Sequence, residues 1–148
     1  LAELKDAYQN SISEDEMCSF VLVNEQNQIQ GLRLAYPPGA WSHGKGNRLR
    51  PDLWKVPLQH AAYFQSLFIS KEAQGGGWGP KLSEASTNLL KKLGAKAIVT
   101  HAWKESPNNS SIRYLSKFGF QEITTHPEYW IEVDYECGKV CEVSIGTT

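Results

Sequence analysis

Between residues 74 and 79 the chain runs Gln74-Gly75-Gly76-Gly77-Trp78-Gly79, then Pro80, and four glycines within five positions are its most chemically suggestive feature. Glycine has no Cβ, so such a segment can turn its N–H groups inward and let a ligand approach the backbone closely. Pro80 suits the first turn of a helix. A helix N-terminus offers unpaired N–H groups and a partial positive charge, so this corner is suited to phosphate. The alternative is a tight connection with no ligand, which leaves the entropy of ordering so many glycines without a return. Two familiar phosphate motifs fail here. A P-loop needs Gly-Lys followed by Ser or Thr, whereas Pro80 separates Gly79 from Lys81 and Leu82 follows. A dinucleotide fingerprint started at Gly75 and Gly77 puts Pro80 where its third glycine belongs, and no acidic residue closes a following strand.

The elements that position this corner follow from periodicity. Residues 1 to 9 read as a short helix and Asn10 to Glu16 as a loop. Cys18 to Val23 and Ile29 to Tyr36, joined by the polar Asn24-Glu25-Gln26-Asn27, form an antiparallel hairpin, with Gly31 as a bulge candidate. Pro37 to Leu58 is a long surface loop, and Trp41 and Trp54 mark it as functional rather than disordered. Tyr63 to Ser70 is a central strand that runs into the glycines. Leu82, Ala85, Leu89, Leu90 and Leu93 then make one apolar helical face that stops at Gly94, and Lys96 to Trp103 is the next strand. Strand, glycine turn, helix and strand make a βαβ unit, whose crossover sets its two strands parallel. A second helix, Asn108 to Phe118, ends at Gly119 and leads to Phe120 to Thr124, with last strands at Tyr129 to Tyr135 and Val140 to Ile145.

Composition narrows the partners. The 148 residues fit a single domain, residues 1–148. Fifteen Lys and Arg against 16 Asp and Glu leave a net charge of −1, so no broad field gathers nucleic acid or anionic lipid, and an anion must be held locally. No apolar run approaches the ~20 residues of a membrane span, and no signal peptide opens the chain at Leu1-Ala2-Glu3. Three cysteines, Cys18, Cys137 and Cys141, suit a reducing cytoplasm, and the Cys137/Cys141 spacing without a matching pair argues against a metal site.

The stretch Leu67-Phe68-Ile69-Ser70-Lys71-Glu72-Ala73-Gln74-Gly75-Gly76-Gly77-Trp78-Gly79 resembles the first signature of the GNAT superfamily, an aliphatic strand end running into Gln/Arg-x-x-Gly-x-Gly/Ala. Asn108-Asn109-Ser110-Ser111-Ile112-Arg113-Tyr114-Leu115-Ser116-Lys117-Phe118-Gly119-Phe120 resembles its second. The resemblance covers about residues 15 to 135. It implies an α/β (α+β) fold: a mixed, mostly antiparallel twisted sheet with a central parallel βαβ unit and flanking helices, without the family's usual first strand and helix. It also implies acetyl transfer from acetyl-coenzyme A, as co-substrate, to a primary amine by direct attack.

In the residues of this chain, the resemblance places the coenzyme's pyrophosphate on the amides of Gln74, Gly75, Gly76, Gly77, Trp78 and Gly79. The pantetheine arm falls along Leu67, Phe68 and Ile69, with the Ile69 N–H polarising the thioester carbonyl and Asn108 and Ser111 contacting the cofactor. Asn108 can equally cap its helix after Pro107. The family's tyrosine acid falls on Leu115, leaving Tyr114 as the neighbouring candidate. For the base, His101 leads over Glu105, His43 and His60. Two other readings stand beside catalysis. One is a non-catalytic coenzyme A sensor of the same fold. The other is a partner-binding module in which the exposed loop Pro37 to Leu58 docks through Trp41 and Trp54. Oligomeric state is open, a homodimer included, and Lys45, Arg48 and Arg50 could shape an acceptor pocket or merely be solvated.

Overall fold

Asn24 turns the first hairpin through its own side chain: its Oδ1 accepts from the N–H groups of Gln26 at 3.0 Å and Gln28 at 2.9 Å, the local bonding that suits Asn to turns. The strands on either side are β1, Phe20–Val23, and β2, Ile29–Tyr36, paired antiparallel as Phe20↔Arg33 to Val23↔Ile29. They belong to a computed structural model that describes residues 18–41 and 51–125. The expectations for residues 1 to 16, for the strands at 129 to 135 and 140 to 145, and for His43, Lys45, Arg48, Arg50, Cys137 and Cys141 lie outside the described residues.

The described residues fall into two compact units, one of 18–41 with Val56–Ile98, the other of 51–55 with 99–125. In the first, β3 runs Ala61–Ile69 and pairs antiparallel with β2, from Gly31↔Ile69 to Tyr36↔Tyr63. Helix α1 covers Trp78–Lys92, and the short strand β4, Ala97–Thr100, has its first two residues in this unit and its last two in the second. The sheet order is β1-β2-β3-β4. The Lys96 N–H donates to His60 O at 2.8 Å, so β3 and β4 start from the same end and run parallel, as the crossover through α1 requires. The outcome is the mixed α+β sheet expected.

Several boundaries move for identifiable reasons. β1 begins at Phe20 rather than Cys18, because the Ser19 hydroxyl takes over the backbone groups of Ala35: it accepts from Ala35 N–H at 3.1 Å and lies 3.3 Å from Ala35 O. The irregularity near Gly31 is real, a register shift between Leu22 and Val23. β3 starts two residues early, at Ala61, where the Trp41 indole N–H at 2.8 Å and the Gly39 N–H at 3.3 Å hold the Ala61 carbonyl. β4 stops at Thr100, and residues 101–103 have no regular structure, so the strand expected to reach Trp103 is shorter.

Trp41 and Trp54 are both buried, at 7% and 5% exposure, which corrects their reading as presented docking anchors. Trp41 packs against Tyr63 with ring centroids 4.9 Å apart.

The buried stripe of α1 also differs from the leucine face read above. Leu82 and Leu90 are buried, but so are Gly79 before them and Ser83 and Ser86 between them, while Ala85, Leu89 and Leu93 are half-buried. Small residues let the helix approach the sheet closely. A Cβ on Gly31 of β2 would stand 2.9 Å from Ile69 Cδ1 and from the Phe68 carbonyl, and 3.5 Å from Leu82 Cδ1. The serines also satisfy polar groups. Ser83 Oγ accepts from Arg33 Nε at 3.1 Å and Nη2 at 3.0 Å, while the guanidinium sits 4.1 Å over the Phe64 ring. Ser86 Oγ donates to the Cys18 carbonyl at 2.8 Å. A buried guanidinium without such partners would be costly.

Candidate functional site

The site begins where β3 runs out. The Ser70 N–H donates to Gln30 O at 2.7 Å, which marks Ser70 and Gln30 as a hydrogen-bonded antiparallel pair. Backbone direction alternates along a strand. In the register Leu32↔Phe68 and Gly31↔Ile69, the N–H and C=O of Phe68 therefore face β2, and those of Leu67 and Ile69 face the opposite edge. On that edge β4 offers four residues against nine in β3. Because the two strands start level, Gln65 to Ile69 have no strand partner there among the described residues. Of the three strand residues expected to meet a pantetheine chain, Leu67 and Ile69 thus have outward backbone groups. Phe68 has an exposed side chain, at 55%, but its backbone is engaged.

Beyond β3 the chain makes one tight turn anchored on Ser70. Its hydroxyl donates to Gln30 Oε1 at 2.7 Å, and its carbonyl accepts from the N–H groups of Ala73 at 3.0 Å and Gln74 at 3.1 Å. The Gln74 side chain turns back, its Nε2 donating to Ile69 O at 3.2 Å. The first position of the Gln-x-x-Gly signature therefore ties the loop to the strand end. Gly75 at φ 84° and Gly77 at φ 75° are left-handed, a conformation glycine adopts without strain. A Cβ on either would meet nothing within 4 Å, so the loop faces open space at both.

From Gly75 to Gly79 no N–H group donates to a backbone carbonyl among the described residues; the next donor is Lys81, to Gly77 O at 3.4 Å. Gly77 is the N-cap of α1, no acidic side chain stands in the first turn, and Lys91 and Lys92 stand in the last. The positive end of the helix is therefore not neutralised by its own residues, and the loop that leads into it borders open space at Gly75 and Gly77. Backbone N–H groups without backbone acceptors, at a helix N-terminus beside an open strand edge, have the chemistry suited to an anion.

The second unit holds the remaining candidates. Residues Pro107–Asn109 form a 3-10 turn that leads into α2, Ser110–Lys117. Asn108 and Asn109 are both left-handed, with φ of 56° and 54°. Asn109 occupies the N-cap without a side-chain bond, so the capping role considered for Asn108 is not what the fold uses. Ser106 does that work, its Oγ accepting from the Ser111 N–H at 3.1 Å. The Ser111 amide is thereby engaged, which leaves its hydroxyl for any ligand. Tyr114 stacks on Phe118, with centroids 6.1 Å apart and planes within 8°. The Leu115 carbonyl accepts from Phe120 N–H at 2.9 Å beyond Gly119, a left-handed helix stop. His101 is half-buried just after β4. The strand edge and loop candidates are thus brought together in the first unit, and His101, Asn108, Ser111 and Tyr114 stand on the second.

Ser70 and Ser106 were not singled out from sequence, although Ser70-x-x-Ala73 has the spacing of a hydroxyl turn. Nearby, the Lys104 ammonium pairs with Glu122, and it and Thr125 hold that carboxyl below the usual carboxylate range. Among the described residues no group of three His, Cys, Asp or Glu could hold a metal ion, and no helix is long and apolar enough to cross a membrane.

A family model described as the acetyltransferase (GNAT) family matches residues 2–120. No curated protein matches the chain by sequence. Several solved structures share its fold. Nourseothricin acetyltransferase is 14% identical with a TM-score of 0.61, over 87% of this chain and 62% of its own. A GNAT family acetyltransferase from Elizabethkingia anophelis, solved with acetyl-CoA bound, is 18% identical with a TM-score of 0.67, over 100% and 82%. Naa20 of Chaetomium thermophilum, in complex with a bisubstrate analogue, is 14% identical with a TM-score of 0.71, over 99% and 70%. The chain therefore spans less than two thirds of the nourseothricin enzyme. At these identities the likeness carries the fold.

Proposed function

Because the chain belongs to the GNAT acetyltransferase family, we propose that it moves an acetyl group from acetyl-coenzyme A to a primary amine by direct attack. The observation that carries this reading is the run of amides without backbone acceptors from Gly75 to Gly79, set beside the unpartnered edge of β3. The structure from Elizabethkingia anophelis, which holds acetyl-CoA, supports the same co-substrate. Amides suited to phosphate take the coenzyme's diphosphate, and the outward groups of Leu67 and Ile69 take the amide-bearing pantetheine arm as a strand would.

The chemistry then needs little from side chains. As the amine attacks, negative charge builds on the thioester oxygen, and the outward Ile69 N–H donates to it, an effect worth on the order of 3 kcal/mol. A held amine needs no covalent enzyme intermediate. A thiolate with a pKa of about 8.5 leaves readily. We assign His101 as the base that accepts the amine proton and Tyr114 as the acid for the thiolate, and place Asn108 and the Ser111 hydroxyl among the groups that contact the coenzyme.

Thiol release from acetyl-coenzyme A across a panel of small and peptide amines tests the proposal. Turnover with any amine, together with calorimetric binding of coenzyme A, supports it. Binding without turnover identifies a coenzyme sensor, and absence of binding removes the cradle.

A further inference from the structure

We propose that Trp78 and Lys81 form a cation clamp that delivers positive charge to the coenzyme's diphosphate on the glycine loop; this rests on the reading of that loop as a coenzyme A site. Of the three consecutive glycines, Gly75 and Gly77 are required by positive φ, but Gly76 is not. A different constraint acts on Gly76: a Cβ there would stand 2.8 Å from Trp78 Nε1 and 2.9 Å from its Cδ1. The indole therefore lies folded back against the loop, and only a residue without a side chain leaves it room.

Lys81 follows three positions later on α1, where side chains share a face. Its Nζ lies 4.5 Å over the Trp78 ring, held there by the negative face of the indole. Gly76, Trp78 and Lys81 thus form a stack that starts on the loop backbone and ends in an ammonium. The loop itself contributes only neutral amides, and a chain of net charge −1 provides no general field to concentrate an anion. The stack supplies a local charge and fixes its position in advance. A free lysine would have to surrender rotamer freedom on binding.

The test is calorimetric titration of coenzyme A, 3′-dephospho-coenzyme A and phosphate-free pantetheine into wild type, Lys81→Gln, Lys81→Arg, Trp78→Leu and Gly76→Ala. Lys81→Gln should weaken coenzyme A about tenfold, and 3′-dephospho-coenzyme A by the same factor. Pantetheine should bind wild type and Lys81→Gln equally. Lys81→Arg should restore most of the affinity. Gly76→Ala and Trp78→Leu should each lose affinity by displacing or removing the ring beneath the ammonium. Raising salt should weaken coenzyme A binding more in wild type than in Lys81→Gln. Lys81 is exposed, so its variants test the clamp even if Trp78→Leu folds poorly. Wild-type affinity in Lys81→Gln overturns the clamp and leaves the cradle standing, as does a loss confined to coenzyme A with its 3′-phosphate. An equal loss for pantetheine overturns it too, as a merely structural effect. A wild-type protein that binds no coenzyme A removes the cradle and the clamp together.

Discussion

Gly77 separates the conformational cost of the loop from its use. It sits at the N-cap of α1 with φ 75° and ψ 17°, and a Cβ there meets no protein atom within 4 Å. Gly94, just past the C-terminal end of the same helix, has φ 94° and equally open surroundings. Gly77→Ala and Gly94→Ala should therefore pay the same left-handed penalty, about 1–2 kcal/mol, and lower the thermal midpoint by roughly 2–7 °C. They should differ in ligand affinity, because only the space beside Gly77 is assigned to phosphate. Gly77→Glu sharpens the contrast by adding a carboxylate. One unit charge about 4 Å from another is worth about 1 kcal/mol in water and about 4 kcal/mol near a protein surface, so coenzyme A affinity should fall between about fivefold and a thousandfold. Titration calorimetry on the three variants, with far-UV circular dichroism melts alongside, measures both quantities. Undiminished coenzyme binding by Gly77→Glu would refute the cradle. A matching affinity loss in Gly94→Ala would show that the effect is a general loosening of the helix.

The alternation of backbone groups along β3 predicts opposite fates for proline at adjacent positions. Ile69→Pro removes an outward N–H and should keep the fold while lowering kcat about a hundredfold; Phe68→Pro removes an N–H that faces β2 and should unfold the strand, as read by urea midpoints. Ser83→Ala deprives the buried Arg33 guanidinium of one acceptor and should lower unfolding free energy by about 1–3 kcal/mol in a urea titration. Burial pushes the Cys18 thiol from 9.0 up to about 11, against a weaker lowering by a backbone hydrogen bond. The folded state thus keeps the neutral thiol while the unfolded chain ionises, so its stabilising effect is complete below pH 9.0 and lost as pH rises towards 11. Relative to Cys18→Ala, wild type should lose up to about 3 kcal/mol across that window.

What could be read from the residues, and what could not, follows from the physics each signal reports. β2 matches its expected bounds at both ends because a short strand after an Asn turn is specified locally, by alternation and by the Asn24 side chain. The helix after the glycines, its stop at Gly94 and the left-handed turns at Gly75 and Gly77 are legible for a similar reason: glycine identity reports backbone conformation directly. Burial of Ser83 and Ser86 was not legible, since a serine reads as polar until Arg33, 50 residues away, and the Cys18 carbonyl appear as its partners. Trp41 misled for the converse reason, as a loop tryptophan looks like a presented anchor until the Ala61 carbonyl accepts its N–H. The chemistry proposed here rests mainly on main-chain donors at Ile69 and Gly75 to Gly79, whose direction is set by strand register and glycine φ. A site built from backbone would tolerate wide changes in side chains, such as those that separate this chain from structures of the same fold only 14 to 18% identical to it. By the same reasoning, the acceptor chosen under the proposed mechanism would depend on side chains, which backbone donors do not constrain.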